Sequence, residues 1–471
     1  MARINKKVAP IHTHEGGRAK HINPEQQLRR SVMACMLWEK SFYEDGQDIA
    51  SRISGLVPVV KPEAVAALAI EAREKMKLRH APLLLVREMA RHQNHKRLVG
   101  ETLAHVIQRA DEITEFIAMY WQDGKTPLSA QVKKGLASAF LKFNAYQLAK
   151  YNRESAIKLR DALFLCHAKP TDTGQEDLWR KLISGDLPVA DTWETALSSG
   201  GDKKMAWERL LSENKIGALA LLRNLRNMHD AGVDRSVIVS ALDRMKADRV
   251  LPFRFISAAK YAPGLEPELE KAMMKCLAGQ GILPGHTVLL VDVSGSMDGA
   301  RISAKSEIDR LDAACGLAML LREICDRIDI FTFSMKLATI PARHGFALKD
   351  AIKNSQEHSG TPLGHAIKAI YAERGSAFDS ADFGPHGIHN VDYKGQGLRP
   401  DRLIVITDEQ ASGSVPHPIG RGYMINVSTD KNGVGYGPWI HIDGWSEAVV
   451  DYIQEVERDA ETIEKNTAEM Q

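Results

Sequence analysis

Thr287–Met297, TVLLVDVSGSM, decides the fold. Val288, Leu289, Leu290 and Val291 form a short unbroken apolar run of strand length. Such a run, with no polar alternation, reads as a strand buried on both faces. It stops at Asp292-Val293-Ser294-Gly295-Ser296, which gathers one carboxylate and two hydroxyls in a single short loop. Open α/β sheets bind ligands at the carboxyl ends of their strands, where this loop lies. Hard oxygen donors, with no thiol or imidazole among them, suit Mg²⁺ or Mn²⁺ rather than zinc. Taken alone, the same residue types also make an ordinary polar turn.

Two later stretches shift that balance. Ser359-Gly360-Thr361-Pro362-Leu363-Gly364 supplies a hydroxyl just before an apolar, helix-like segment. Leu403-Ile404-Val405-Ile406-Thr407-Asp408 is a second buried strand that ends in a carboxylate. With these, the region resembles a von Willebrand factor A domain with a metal-ion-dependent adhesion site. The resemblance implies a divalent metal ion, Mg²⁺ foremost and Mn²⁺ as the alternative, held by Asp292, Ser294, Ser296, Thr361 and Asp408. It also implies that an acidic group of a partner protein completes the coordination. Many A domains carry Asp-Gly at the third loop, whereas this chain has Asp408-Glu409 and so one carboxylate more.

After about residue 284 the pattern alternates strand and helix, which predicts an α/β domain over 284–471 with a parallel sheet covered on both faces. Strands are expected at Thr287–Val293, Ile330–Phe333, Leu403–Thr407, Tyr423–Val427 and Trp439–Ile442. Helices are expected within Ser303–Ile328 and at Phe346–Asn354, Leu363–Ala372 and Ser446–Val456. The stretch 375–400, rich in Gly, Asp and His, reads as a surface insertion.

Residues 21–283 show helix after helix and almost no strand signal. Pro62–Lys77, for example, sets Val65, Leu68, Ala69, Ala72 and Met76 on one face. Roughly eleven helices separated by turn signals predict stacked antiparallel pairs, an α-solenoid of the HEAT kind, rather than one bundle. Residues 1–20, with Gly16-Gly17 and several basic residues, read as a disordered tail. Basic residues collect in the helical half: Arg87, Arg91, Lys96 and Arg97, then Lys133, Lys134 and Lys142, then Lys150, Arg153, Lys158, Arg160, His167 and Lys169. From 133 to 169 only Glu154 and Asp161 oppose them. Each one singly fits a solvated helix surface, but the set fits an electrostatic footprint for phosphate.

The chain has 471 residues and a formal net charge of +2, so several domains are expected and total charge selects no partner. Its five cysteines form no Cys-x-x-Cys pair and read as free thiols of a reducing compartment. No apolar run spans a membrane and no secretory signal opens the chain, so a cytoplasmic protein is expected. Hydrolase signatures are missing: Asp292-x-Ser294-x-Ser296 is not Gly-x-Ser-x-Gly, and there is no Walker A loop or His-Glu-x-x-His. The expectation is a protein that is not an enzyme.

Further stretches share a second resemblance. They are Leu28-Arg29-Arg30-Ser31, Val132-Lys133-Lys134-Gly135-Leu136-Ala137, Tyr146–Tyr151, Leu163–Pro170, Ala220–Leu225 and Leu251–Phe255. Followed by the Asp-x-Ser-x-Ser loop, they resemble the TROVE family, the Ro autoantigen and its bacterial relatives. That resemblance implies a ring of helical repeats closed by the A domain. It implies small non-coding Y RNAs on a basic outer surface and single-stranded ends of misfolded RNAs in the central hole. It further implies RNA quality control, in some relatives with an exoribonuclease tethered through a Y RNA, and a monomeric chain. The residues it marks for RNA contact are Lys150, Arg153 and His167, with Lys133, Lys134 and Lys169 beside them. The runner-up function is a metal-dependent adaptor in which the A domain captures an acidic group of a protein partner.

Overall fold

Nine strands are formed among the described residues: β1 Ile11–His12, β2 Arg18–His21, β3 Leu283–Asp292, β4 Cys325–Phe333, β5 Leu337–Thr339, β6 Arg402–Thr407, β7 Arg421–Asn426, β8 Val434–Gly435 and β9 Ile440–Asp443. The structure is a computed structural model. It describes residues 11–12, 18–21, 23–33, 46–76, 78–152, 155–198, 200–246, 250, 252–277, 281–299, 301, 308–376, 393–411, 413–427, 434–435, 438–443, 449–450, 453–454 and 456–457. The chain divides into two compact units. One comprises Met1–Asp48, Ala218–Arg226 and Leu242–Gln471; the other comprises Ile49–Gly217 and Asn227–Ala241.

The first unit is built on a six-stranded sheet in the order β5-β4-β3-β6-β7-β9. Its pairs are parallel except for β5, which runs antiparallel to β4 at the edge. That edge strand departs from the all-parallel expectation. It is three residues long, too short to show an apolar pattern of its own. β6 is buried along its whole length, as its unbroken apolar run predicts. Val288, Leu290, Leu403, Val405 and Met424 pack on one face against Leu363, Ala366, Ile367 and Ile370 of the helix Leu363–Tyr371.

The helix expected within Ser303–Ile328 spans Arg310–Ile324. Asp309 caps it, accepting from the Asp312 N–H at 2.6 Å, and β4 begins at Cys325 where the helix ends. Residues 242–283, which precede the boundary expected at 284, fall in the same compact unit as the sheet. The helix Pro252–Tyr261 packs on Arg310–Ile324 so closely that a Cβ on Gly316 would lie 3.2 Å from the Phe253 nitrogen. Lys260 pairs there with the buried Asp312. Apolar periodicity marks a helix face but not which neighbour covers it.

Part of the expected tail, residues 1–20, is strand. β1 pairs with β2, and β2 pairs with β8, making a small antiparallel sheet. Its partner strand lies near the far end of the chain, so local sequence carries no sign of the pairing. Of the expected insertion 375–400, residues 377–392 lie outside the described residues. Most of the expected closing helix Ser446–Val456 lies outside them as well.

Among its described residues the second unit forms helices and no strand. Helices run at Pro62–Glu74, His80–Arg91, Lys96–Val106, Asp111–Tyr120, Ala130–Phe140, Ala145–Tyr151, Leu159–Cys166 and Thr173–Ser184, followed by Trp193–Ser198 and Lys203–Ser212. Sequence periodicity did not reveal the last two. Two glycines set one contact: a Cβ on Gly135 would lie 2.8 Å from the Gly100 carbonyl oxygen and from Leu103 Cβ. Helices Lys96–Val106 and Ala130–Phe140 meet backbone to backbone at that point. No helix among the described residues is long and apolar enough to cross a membrane.

Candidate functional site

The sheet places the three loops together. β3 is flanked by β4 on one side and β6 on the other, so the strand order reverses at β3. Asp292 ends β3, and beside it Thr407 ends β6, with Asp408 directly after. A crevice at such a switch point is the default ligand site of an open α/β sheet.

Asp292 is fully buried. One of its oxygens accepts from the Ser294 N–H at 2.8 Å, the other from the Thr407 hydroxyl at 2.6 Å. Ser294 Oγ and Ser296 Oγ lie 3.3 Å apart. The Gly295 N–H donates to the Ser359 carbonyl at 2.8 Å, which ties the first loop to the second. Thr361 stands in that second loop, 6% exposed. The second loop is braced by Ser334, whose hydroxyl accepts from the Ser359 N–H and whose carbonyl accepts from the Tyr393 hydroxyl, both at 2.8 Å.

Burial, and then the charge of Asp408, push the Asp292 carboxyl up to about 7. Two dehydrated carboxylates side by side call for positive charge. Arg310 supplies some of it: its Nη1 is 3.1 Å from Asp408 Oδ2 and 3.3 Å from the Ser296 carbonyl oxygen, and the side chain is 2% exposed. Among the described residues no three His, Cys, Asp or Glu side chains gather as a metal cluster, so hydroxyls must complete any donor set. Carboxylate and hydroxyl oxygens of this kind fit a hard divalent cation. Arg310 carried no sequence signal, because the stretch before it shows no periodicity. Thr407 was not singled out either, although its polar side chain next to Asp408 interrupts the apolar run.

Glu409 lies off the donor set. It is fully buried and adopts the left-handed conformation, φ 59°, a position that favours glycine. Its carboxylate accepts from Arg30 Nη2 at 2.7 Å and lies 2.8 Å from His441 Nδ1. Burial alone would raise this carboxyl, but the Arg30 guanidinium and the His441 imidazole hold it below the usual range. The extra acid of the third loop thus clamps that loop to the helix Pro24–Met33 and to β9.

In the second unit, capped helix ends position the basic residues. Ser129 accepts from the Val132 N–H at 3.3 Å and starts the helix bearing Lys133 and Lys134. Asn144 and Gln147 form a reciprocal capping box ahead of Lys150. His167 ends its helix in the left-handed conformation, φ 55° and ψ 40°, and its Nε2 lies 3.4 Å from Lys133 Nζ. Lys150 Nζ lies 5.6 Å from the Tyr151 ring centre and 6.0 Å from that of Tyr146. Lys134 and Lys169 are exposed. Arg153 lies outside the described residues. Among those residues, Lys133, Lys134, Lys150 and Lys169 form no ion pair.

Other members of the basic set have structural work. Arg87 bonds Glu88 and Asp123 at 2.7 Å each, Arg91 joins the same Asp123, and Arg97 bonds Glu63 at 2.8 Å. Lys142 donates to the carbonyls of Ala104 and Ile107 at the end of the helix Lys96–Val106, and burial lowers its pKa. Composition alone does not separate these cations from the unpaired ones.

Residues 184–281 match the TROVE domain family model. Telomerase protein component 1 of Mus musculus is 34% identical over 85 residues, which make up 17% of this chain and 3% of that protein. The Rattus norvegicus counterpart is 33% identical over 89 residues, again 3% of its length. The chain thus spans only a small part of these curated relatives. The crystal structure of the Deinococcus radiodurans Ro (Rsr) protein superposes with a TM-score of 0.59 at 16% identity, covering 90% of this chain and 97% of that one. A helix-rich part followed by a mixed α/β sheet is therefore the fold shared with a Ro protein. Residues 184–281 thus carry TROVE sequence, within a chain that shares its fold with a Ro protein.

Proposed function

We propose that this protein binds RNA, with Lys133, Lys134, Lys150, His167 and Lys169 meeting the phosphates and an adjacent unpaired base. The observation that carries this is the set of four lysines without ion pairs among the described residues, in a unit whose other named cations are largely paired. Lysine ammonium groups neutralise phosphate and release counterions, and a His ring can stack or hydrogen-bond with a base. Arg153 joins them on the strength of its position in sequence. The ligand class is a small structured non-coding RNA of the Y RNA kind, together with single-stranded ends of misfolded RNA. The role is RNA quality control in the cytoplasm, without catalysis by this chain. The helical repeats form a ring of HEAT-like pairs around the single-stranded end, and an exoribonuclease is tethered through the RNA.

A second reading rests on the switch-point crevice. Asp292, Ser294, Ser296, Thr361 and Asp408 would hold Mg²⁺ or Mn²⁺. The ion, once bound, supplies a Lewis-acidic position for a carboxylate of a partner protein. The chain's own residues orient the donors: Thr407 and the Ser294 N–H fix Asp292, and Arg310 holds Asp408. The two readings use different residues and are compatible.

The test is crosslinking and sequencing of copurifying RNA, with binding of a structured RNA measured with and without a single-stranded 3′ tail across a salt series. Recovery of a small structured RNA, with tail-dependent affinity that falls steeply with salt, supports the reading. No enriched RNA and no tail dependence would leave the crevice as the working part.

A further inference from the structure

Beside the lysines of the second unit lies a cavity of about 1020 Å³ whose lining includes Trp121, Lys125, Lys133, Asp161, Phe164 and His167. Its lining includes two aromatic side chains, Trp121 and Phe164. Phe164 is 59% exposed, although Ala162, Leu163 and Cys166 of the same helix are buried. A phenyl ring left in water forgoes the free energy that covering it would gain. The ring of Trp121 is held by its own N–H, which donates to the Thr126 carbonyl at 2.7 Å. With that donor occupied, the indole offers a π face. Lys125 Nζ lies 5.1 Å from the centre of that ring. On the other side, the left-handed turn at His167 brings its imidazole to Lys133.

We infer that this cavity receives one unpaired RNA base, stacked against Phe164 and Trp121, while Lys125 and Lys133 meet the phosphates flanking it. The inference rests on the RNA-binding reading and adds to it a pocket and two stacking residues. The charge pattern selects the occupant. An apolar peptide side chain would use the aromatic wall but would leave the two ammonium groups without a counter-charge. A nucleotide matches both, because each base has a π face and each linkage an anion. Asp161 stands in the lining with its carboxylate accepting from the Lys158 N–H at 3.1 Å.

The experiment uses the full chain and a structured RNA bearing a single-stranded 3′ tail, with 2-aminopurine placed at each unpaired position in turn. Stacking on aromatic rings quenches this base. At one position the wild type should quench it. Phe164→Ala should abolish that quenching and weaken binding about tenfold with the salt slope unchanged, since stacking releases no counterions. Phe164→Tyr should restore both. Lys133→Ala should instead lower the slope. Because Phe164 is exposed, its alanine variant should melt like the wild type; Trp121→Ala serves as the second probe, read only if its melt is also unchanged. Wild-type binding with quenching and affinity unaffected by Phe164→Ala would overturn the pocket and leave the RNA reading standing. No RNA binding by the wild type at any salt concentration would overturn both.

Discussion

The loops that follow β3 and β6 in the first unit and the basic residues of the second treat charge in opposite ways. At the loops that follow β3 and β6 three carboxylates are buried and held: Asp292 by Thr407 and the Ser294 N–H, Asp408 by Arg310, and Glu409 by Arg30 and His441. In the helical unit Lys133 and Lys150 are half-buried, Lys134 and Lys169 are exposed, and none is in an ion pair among the described residues. A buried charge lacking its partner is costly, so each has a fixed geometric role. A solvated ammonium costs little and can adapt to a flexible polyanion. The first arrangement suits a small hard ion at a defined point; the second suits a phosphate backbone.

The contrast breaks most visibly at Glu409. Glu409→Ala should leave the Arg30 guanidinium buried without its carboxylate and destabilise the protein by about 3–5 kcal/mol. A thermal melt checks this, and Arg30→Met in the same chain should recover part of the loss. A melting temperature unchanged by Glu409→Ala would mean that the clamp contributes nothing.

Asp292→Ala comes next. It should weaken Mn²⁺ binding, followed by electron paramagnetic resonance, by at least about 100-fold, because both a proposed ligand and the anchor for Thr407 disappear. RNA affinity should stay within about twofold, since steps at sites that share no partner are close to additive. Equal loss of metal and RNA binding in a folded variant would erase the division of labour between the two regions.

Gly135→Ala tests whether the helical face depends on its scaffold. The added methyl would meet the Gly100 carbonyl oxygen and Leu103 Cβ at 2.8 Å, so the helices must separate. The expected cost is about 1–3 kcal/mol, seen as a shift in the urea midpoint. An unchanged midpoint would show that the two helices adapt at no cost.

The smallest effect is expected on the face itself. Lys133→Ala with Lys150→Ala should leave the melt unaltered and lower the slope of log affinity against log salt by about one to two units. An unchanged slope would remove both from the RNA contact surface.

How far each region was legible follows from the same contrast. The strands ending in Asp292 and Asp408 were visible because both-face burial demands an unbroken apolar run, and a polar residue at its end stands out. Arg310, Tyr393 and the Arg30–Glu409–His441 clamp were not visible, because their partners come from distant parts of the chain. On the helical side the basic residues were legible as a set but not by role. Lys142 reads like Lys134 in sequence, yet it caps the carbonyls of Ala104 and Ile107.

By itself, then, the sequence determined the two architectures, helix after helix and then strand alternating with helix, because local periodicity reports which face of an element is apolar. It also determined that Asp292 and Asp408 end buried strands. Tertiary structure alone decided which strands are neighbours, that residues 242–283 belong with the sheet, that Glu409 faces Arg30, and that Phe164 opens onto a cavity with Trp121. Those facts depend on contacts between residues far apart in the chain, and periodicity carries no information about which surface an apolar face will meet.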